Sequence, residues 1–143
     1  MSSVSFHSEQ TNFSIQNQKQ VEAWLIQACG QEGKTLSEIT FIFCSDDYLL
    51  QVNHDFLQHD YYTDVITFDY CEEQNVSGDI FISIDRVVEN ASSVGVSFPD
   101  ELHRVMIHGM LHLLGYKDKT VAEKTEMTSK EDYYLSLRTF SNL

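Results

Sequence analysis

The strongest constraint in this chain is the stretch Phe-Pro-Asp-Glu-Leu-His-Arg-Val-Met-Ile-His-Gly-Met-Leu-His-Leu-Leu-Gly-Tyr-Lys-Asp at positions 98–118. At ~100° per residue, Met106, Ile107, Met110, Leu111, Leu113 and Leu114 cover one broad side of a helix. Glu101, Arg104, His108 and His112 fall on a narrow strip opposite. So wide an apolar surface has to be buried, which leaves the strip as the only polar line on the helix. His108 and His112, four residues apart, project from the same face one turn from each other. Gly115 stands where a helix commonly closes in a left-handed residue, and beyond it the chain can reverse to bring Asp118 toward the two imidazoles. Two nitrogens and one carboxylate oxygen then face a common point. That is the donor set of an open metal site within zinc's repertoire, with three protein ligands and one position left for water or substrate. An i,i+4 histidine pair alone is more often ordinary polar decoration of a helix. Gly109 between the histidines, the Gly115-Tyr116 ending and the third donor just beyond favour the metal. The helical H-E-x-x-H of zinc proteases is excluded, because its general base would occupy the place of Gly109.

His108-Gly109-x-Leu111-His112-Leu113-x-Gly115-Tyr116 resembles the signature of the YbeY family, the metal-dependent endoribonucleases of ribosomal RNA maturation. The family's usual pattern is H-G-x-L-H-L-x-G-Y-D-H, with three histidine ligands. Lys117-Asp118 stands where that pattern has Asp-His, so the resemblance assigns metal ligation to His108, His112 and Asp118. Such a set suits zinc, the ion expected at one per chain, and also open ferrous and related sites. A second block, residues 53–68, resembles the family's N-x-x-Y/F-R-x-K-D-x-P-T-D/N-V-L-S-F, and Gly78-Asp79-Ile80 matches its Gly-Asp-Ile. The likeness runs from 53 to 118 in the family's order. Leu57 replaces the family's arginine, which is associated with activity, and His59 replaces its lysine.

What the resemblance implies is a single-strand-specific, metal-dependent endoribonuclease acting in rRNA maturation and ribosome quality control. Its partners would be rRNA precursors and the ribosome or its small subunit, with no DNA expected. Two alternatives stand beside it: a ribosome-associated assembly factor with a structural metal, and a metal hydrolase of another substrate. His59 either stands in for the missing cation near the substrate or is a solvated loop histidine. Arg104 either contacts phosphate or pairs with a carboxylate such as Glu101. No side chain in the motif serves obviously as a general base.

A chain of 143 residues fits one domain, taken here as 1–143, large enough to bury a core without disulfide staples. No apolar run approaches the ~20 residues that span a bilayer. The first residues have neither the basic start nor the apolar centre of a secretory signal, so a cytoplasmic protein is expected. Cys29, Cys44 and Cys71, an odd and widely spaced set, read as reduced core fillers. The net charge of −13, with only nine Lys and Arg, weighs against strong independent binding to RNA, whose phosphates are usually met by basic side chains. Free-standing affinity is expected to be low, with delivery of the substrate by the ribosome compensating. The ordinary reading of the acidity is solubility.

Hydrophobic periodicity predicts strands at 4–6, 39–44, 62–70 and 79–84 and helices at 18–29, 46–56 and 85–93, followed by the metal-bearing helix and a last helix from a Thr120/Glu123 capping box. The first helix is expected to close at Gly30. The polar segment 71–78 is expected to join two strands as a hairpin. Ser97/Asp100 is spaced as a further capping box, Thr63-Asp64 reads as a turn, and His103 falls on the apolar side of its helix as a core histidine. The fold class is therefore α/β (α+β mixed), a small mixed sheet of about four strands with helices packed on it and the metal helix near the C-terminus.

Overall fold

The structure is a computed structural model and describes residues 2–140. Nine elements follow one another: β1 (Ser3–Glu9), α1 (Gln18–Gln31), β2 (Thr35–Cys44), α2 (Asp46–Leu57), β3 (Val65–Asp69), β4 (Asn75–Ser83), α3 (Ile84–Val94), α4 (Phe98–Leu113) and α5 (Val121–Ser136). The sheet order is β1-β2-β4-β3. β1 and β4 both run parallel to β2, and β3 returns antiparallel on β4 through the expected hairpin. The mixed four-stranded α/β sheet predicted from the sequence is the one observed.

Strand alternation decides which face is covered by which helices. Leu36, Ile39, Phe41 and Phe43 of β2 and Val76, Ile80 and Ile82 of β4 are buried with Trp24 and Leu25 of α1 and with Met106, Ile107 and Met110 of α4. On the opposite face α2 seats Leu49 and Val52 over Cys44 and Ile66. The last helix packs beside α1 and α4, where the Trp24 indole N–H donates to the Tyr134 carbonyl at 2.7 Å. His103 is buried as expected; Arg138 donates to its Nδ1 at 2.8 Å, and burial, helped by that guanidinium, pushes its pKa down to about 4. Cys29 and Cys44 are buried free thiols raised to about 12 chiefly by burial, while Cys71 is half-buried. Among the described residues no helix is long and apolar enough to cross a membrane.

Several expected boundaries move: β1 runs on to Glu9, β2 begins at Thr35 rather than Ile39 and β3 at Val65 rather than Tyr62, and two further shifts have a clear cause. The first helix does not close at Gly30 but continues to Gln31, and the left-handed residue is Gly33 at φ 76°. Cys29 is fully buried at that point, so tertiary packing carries the helix through a glycine whose local preference is to end it. β4 starts at Asn75 rather than Asp79, because the reversal is completed by reciprocal Glu72–Asn75 backbone hydrogen bonds. Polar Asn75 and Ser77 hid that part of the strand, whose buried side chain is Val76.

The metal-motif helix is fixed at both ends. Ser97 Oγ accepts from the Asp100 N–H at 3.2 Å, and Pro99 occupies the first turn, where its missing N–H costs nothing. At the far end Tyr116 N–H bonds to Leu111 O and Gly115 N–H to His112 O, both at 3.0 Å, with Gly115 at φ 105°. This is a Schellman closure. In between, Gly109 lies against the sheet: a Cβ there would stand 2.9 Å from Ile80 Cγ2 and 3.4 Å from Thr67 Cγ2. The glycine between the two histidines thus has a packing cause. It lets the histidine turn of α4 sit close to β3 and β4.

Alanine at this position should gain roughly 0.5–1 kcal/mol of helix propensity and lose about 1–3 kcal/mol to overpacking against a stiff β-branched neighbour. Gly109→Ala is therefore expected to lower stability in urea unfolding by about 1 kcal/mol, and by no more than about 2.5 kcal/mol. A stabilised variant would show that the contact relaxes freely.

Candidate metal centre

α4 carries His108 and His112 on its polar strip, and the Schellman turn returns the chain so that Asp118 meets them. His108 Nε2 and His112 Nε2 are 3.0 Å apart, and Asp118 Oδ2 lies 3.4 Å from the first and 3.3 Å from the second. The three atoms form the group of donors that can hold a metal ion. Ligands at ~2.0–2.1 Å from a tetrahedral ion stand about 3.3–3.4 Å from one another, so the triangle already has nearly the required edge lengths.

The other ring nitrogens explain why these atoms point inward. His108 Nδ1 is 2.7 Å from Glu131 Oε2, and His112 Nδ1 is 3.1 Å from the Tyr116 carbonyl. A carboxylate and a carbonyl are acceptors only, so both Nδ1 atoms carry the proton. Each neutral ring then presents a bare lone pair at Nε2. Two lone pairs 3.0 Å apart repel unless a cation, either a proton or a metal ion, lies between them. Burial of His108 opposes its charging, but the hydrogen bond and charge of Glu131, joined by Asp118 and Asp64, outweigh it and raise the pKa above the ordinary imidazole value. Positive charge is welcome at this point, and the donor set fits a divalent ion.

Glu131 is the member of this hydrogen-bonded cluster that the sequence does not announce. It is 7% exposed, on the face of α5 that also buries Met127 and Tyr134. The signal was a carboxylate at i+4 and i−3 within that apolar stripe, a position that needs a partner. Glu131 also meets Arg104, whose Nη1 donates to Glu131 Oε1 at 2.8 Å and whose Nη2 donates to Asp132 at 2.6 Å. Arg104 pairs with carboxylates, as one of its two readings had it, though Glu131 and Asp132 take the place suggested for Glu101.

Beside the triangle lies a cavity of about 190 Å³ lined by Asp64, Glu101, Arg104, Val105, His108 and Glu131. Glu101 is raised above the ordinary carboxyl value, first by burial and then by the charges of Asp64 and Glu131, with Arg104 opposing. Asp64, expected in a turn with local side-chain bonds, sits at a bend just before β3 and faces this cavity, where Asn90 of α3 donates to it at 3.4 Å. His59 is not part of the cluster. It stacks on Tyr61 in the segment between α2 and β3.

The two carboxylates on Arg104 differ in exposure, 9% for the Glu131 side chain and 61% for that of Asp132. Removing Glu131 leaves the His108 Nδ1–H without its acceptor and Arg104 held by Asp132 alone, so Glu131→Ala should cost about 2–3 kcal/mol. Asp132→Ala should cost under about 1 kcal/mol. Equal losses in parallel urea titrations would contradict this division.

The family described as Endoribonuclease YbeY matches residues 3–138 of the chain. The endoribonuclease YbeY of Cytophaga hutchinsonii is 51% identical over 138 residues, 96% of each chain. That of Bacteroides thetaiotaomicron is 44% identical over 135 residues, 94% of this chain and 98% of the relative. The solution structure of TM1509 from Thermotoga maritima superposes with a TM-score of 0.64 at 29% identity, covering 92% of this chain and 87% of that one. With a match over nearly its whole length, and with the histidine pair and its third donor gathered at one point, the chain belongs to the endoribonuclease YbeY family.

Proposed function

We propose that this protein is a metal-dependent endoribonuclease that cleaves single-stranded RNA during ribosomal RNA maturation. The observation that carries the reading is the Nε2–Nε2–Oδ2 triangle of His108, His112 and Asp118, with edges of 3.0–3.4 Å beside an acidic cavity, in a chain of this family. The three residues would hold one divalent ion, with zinc favoured by imidazole and carboxylate donors. Such an ion supplies Lewis acidity, polarising a phosphate oxygen and making a water more acidic.

The chain's own residues do the rest. Glu131 and the Tyr116 carbonyl orient the two imidazoles through Nδ1, so their Nε2 atoms stay aimed at one point. The Glu101 carboxylate, in the cavity that His108 also lines and with its proton affinity raised, is placed to take a proton from an attacking water. Arg104, neutralised by Glu131 and Asp132, holds the site's frame rather than offering a free cation to phosphate. Substrates reach the site as part of pre-ribosomal particles, since the net charge of −13 gives little electrostatic attraction for free RNA.

Protein purified without chelator should contain roughly one divalent ion per chain, and cleavage of single-stranded RNA should vanish with chelator and return with zinc. His108→Ala with His112→Ala should lose both metal and cleavage. Asp118→Ala should bind metal markedly more weakly, while Asp118→His, which supplies another imidazole, should retain it. RNA cleavage that survives complete metal removal would overturn the reading. Tight metal without RNA cleavage would favour an assembly factor with a structural ion.

A further inference from the structure

The segment joining α2 to β3 carries a group of rings that the metal centre does not use. Phe56 is 69% exposed, Tyr61 56% and Tyr62 46%, and Leu57 at the end of α2 is 41% exposed. The rings of His59 and Tyr61 are stacked, with centroids 5.0 Å apart and planes within 20°, and Tyr61 Oη lies 3.0 Å from His59 Nδ1. Large rings left in water cost free energy, and most folds turn them inward.

Here the backbone is built to hold them out. Asn53 of α2 is 1% exposed; its side-chain amide donates to the Tyr61 carbonyl at 2.9 Å, and its own carbonyl accepts from the His59 N–H at 3.2 Å. One buried asparagine thus fixes both residues of the stacked pair from beneath. Gln58 takes the left-handed conformation, φ 57°, which turns the chain off the helix into this segment. Tyr62 is pinned separately, under the Arg86 guanidinium at 5.0 Å from its ring centre and by a hydrogen bond to Asp47. The stack is therefore preorganised rather than a floppy loop tip.

Its position supplies the occupant. Asp64, three residues after Tyr61, shares the cavity with His108. Three residues of extended chain span at most about 10–11 Å, so the stacked pair lies within a short length of single-stranded nucleic acid from the metal centre. Its immediate neighbours are acidic, with Asp55 and Asp60 both within ion-pair distance of His54. The guanidinium against this segment, Arg86 on Tyr62, is already paired with Asp46, whereas the flat face of an unpaired base finds a ring of its own shape.

We propose that the stacked His59–Tyr61 pair is a nucleobase platform on which an unpaired base of single-stranded RNA continues the stack, placing its neighbouring phosphate at the metal centre. The proposal rests on the RNA reading above and adds how a strongly acidic protein holds its substrate: through the faces of bases more than through phosphates. His59 then acts as a ring, and the position needs no cation.

Anisotropy of a fluorescently labelled oligouridylate, read with the full chain and compared with the same strand carrying abasic residues, tests this without requiring turnover. The parent should bind the base-bearing strand more tightly. Tyr61→Ala should weaken that binding roughly 5- to 100-fold, to the level of the abasic strand. Tyr61→Phe should keep most of it, and Tyr61→Leu, similar in apolar bulk but without a π face, should not. Unchanged binding by Tyr61→Ala, or equal binding of the two strands, overturns the platform while leaving metal content and chelator-sensitive cleavage to decide the nuclease reading. Failure of the parent to bind any single strand overturns the platform as well.

Discussion

Two Nδ1–H hydrogen bonds fix the geometry of the candidate metal centre. One runs from His108 to a buried carboxylate of α5, the other from His112 to a carbonyl of its own helix's closing turn. Because each ring spends its proton outward, both Nε2 lone pairs face Asp118 across 3.0–3.4 Å. Such an arrangement is repulsive when empty of positive charge and favourable when a cation occupies it. Glu131 and Arg104 extend the constraint: the carboxylate that orients His108 is itself held by the guanidinium, and Asp132 holds the other side of that guanidinium.

The fold serves this geometry from three sides. α4 lies close to β3 and β4 because Gly109 removes the side chain that would separate them. Its Schellman closure at Gly115 then presents the Tyr116 carbonyl to His112 and returns the chain toward Asp118. The Tyr116 ring is anchored in turn, since its hydroxyl donates to Glu32 at 2.6 Å, a carboxylate that also accepts from Lys130 and Tyr134. The end of α1, the closing turn of α4 and α5 are tied through that one side chain. Burial raises the Glu32 pKa, but the hydrogen bonds from Tyr116, Tyr134 and Lys130 outweigh it and leave it below the usual value, so the knot stays charged at neutral pH.

Local chemistry made part of this legible beforehand. The helix with its polar strip, the histidine pair, the glycine closure and Asp118 all lie within 98–118, where periodicity and spacing speak directly. The β3–β4 hairpin and the mixed sheet followed from alternation and loop length. Glu131 was hidden because its partners, Arg104 and His108, are 27 and 23 residues away and meet it only when α5 packs on α4. The same packing gave Arg104 partners other than Glu101. Gly30 failed as a stop because Cys29 is buried in the turn that would have ended. His59 was weighed only by its charge, since nothing in the sequence says that the buried Asn53 amide would stack its ring on Tyr61.

The central claim is that the ion is held through both Nε2 atoms and Asp118, with Nδ1 turned away. Anomalous diffraction from zinc-loaded crystals, recorded at the zinc absorption edge, tests it most directly. The account predicts one peak within about 2.0–2.2 Å of His108 Nε2, His112 Nε2 and an Asp118 carboxylate oxygen, with Glu131 still on His108 Nδ1. A peak coordinated through Nδ1, or one seated away from these three residues, would contradict it.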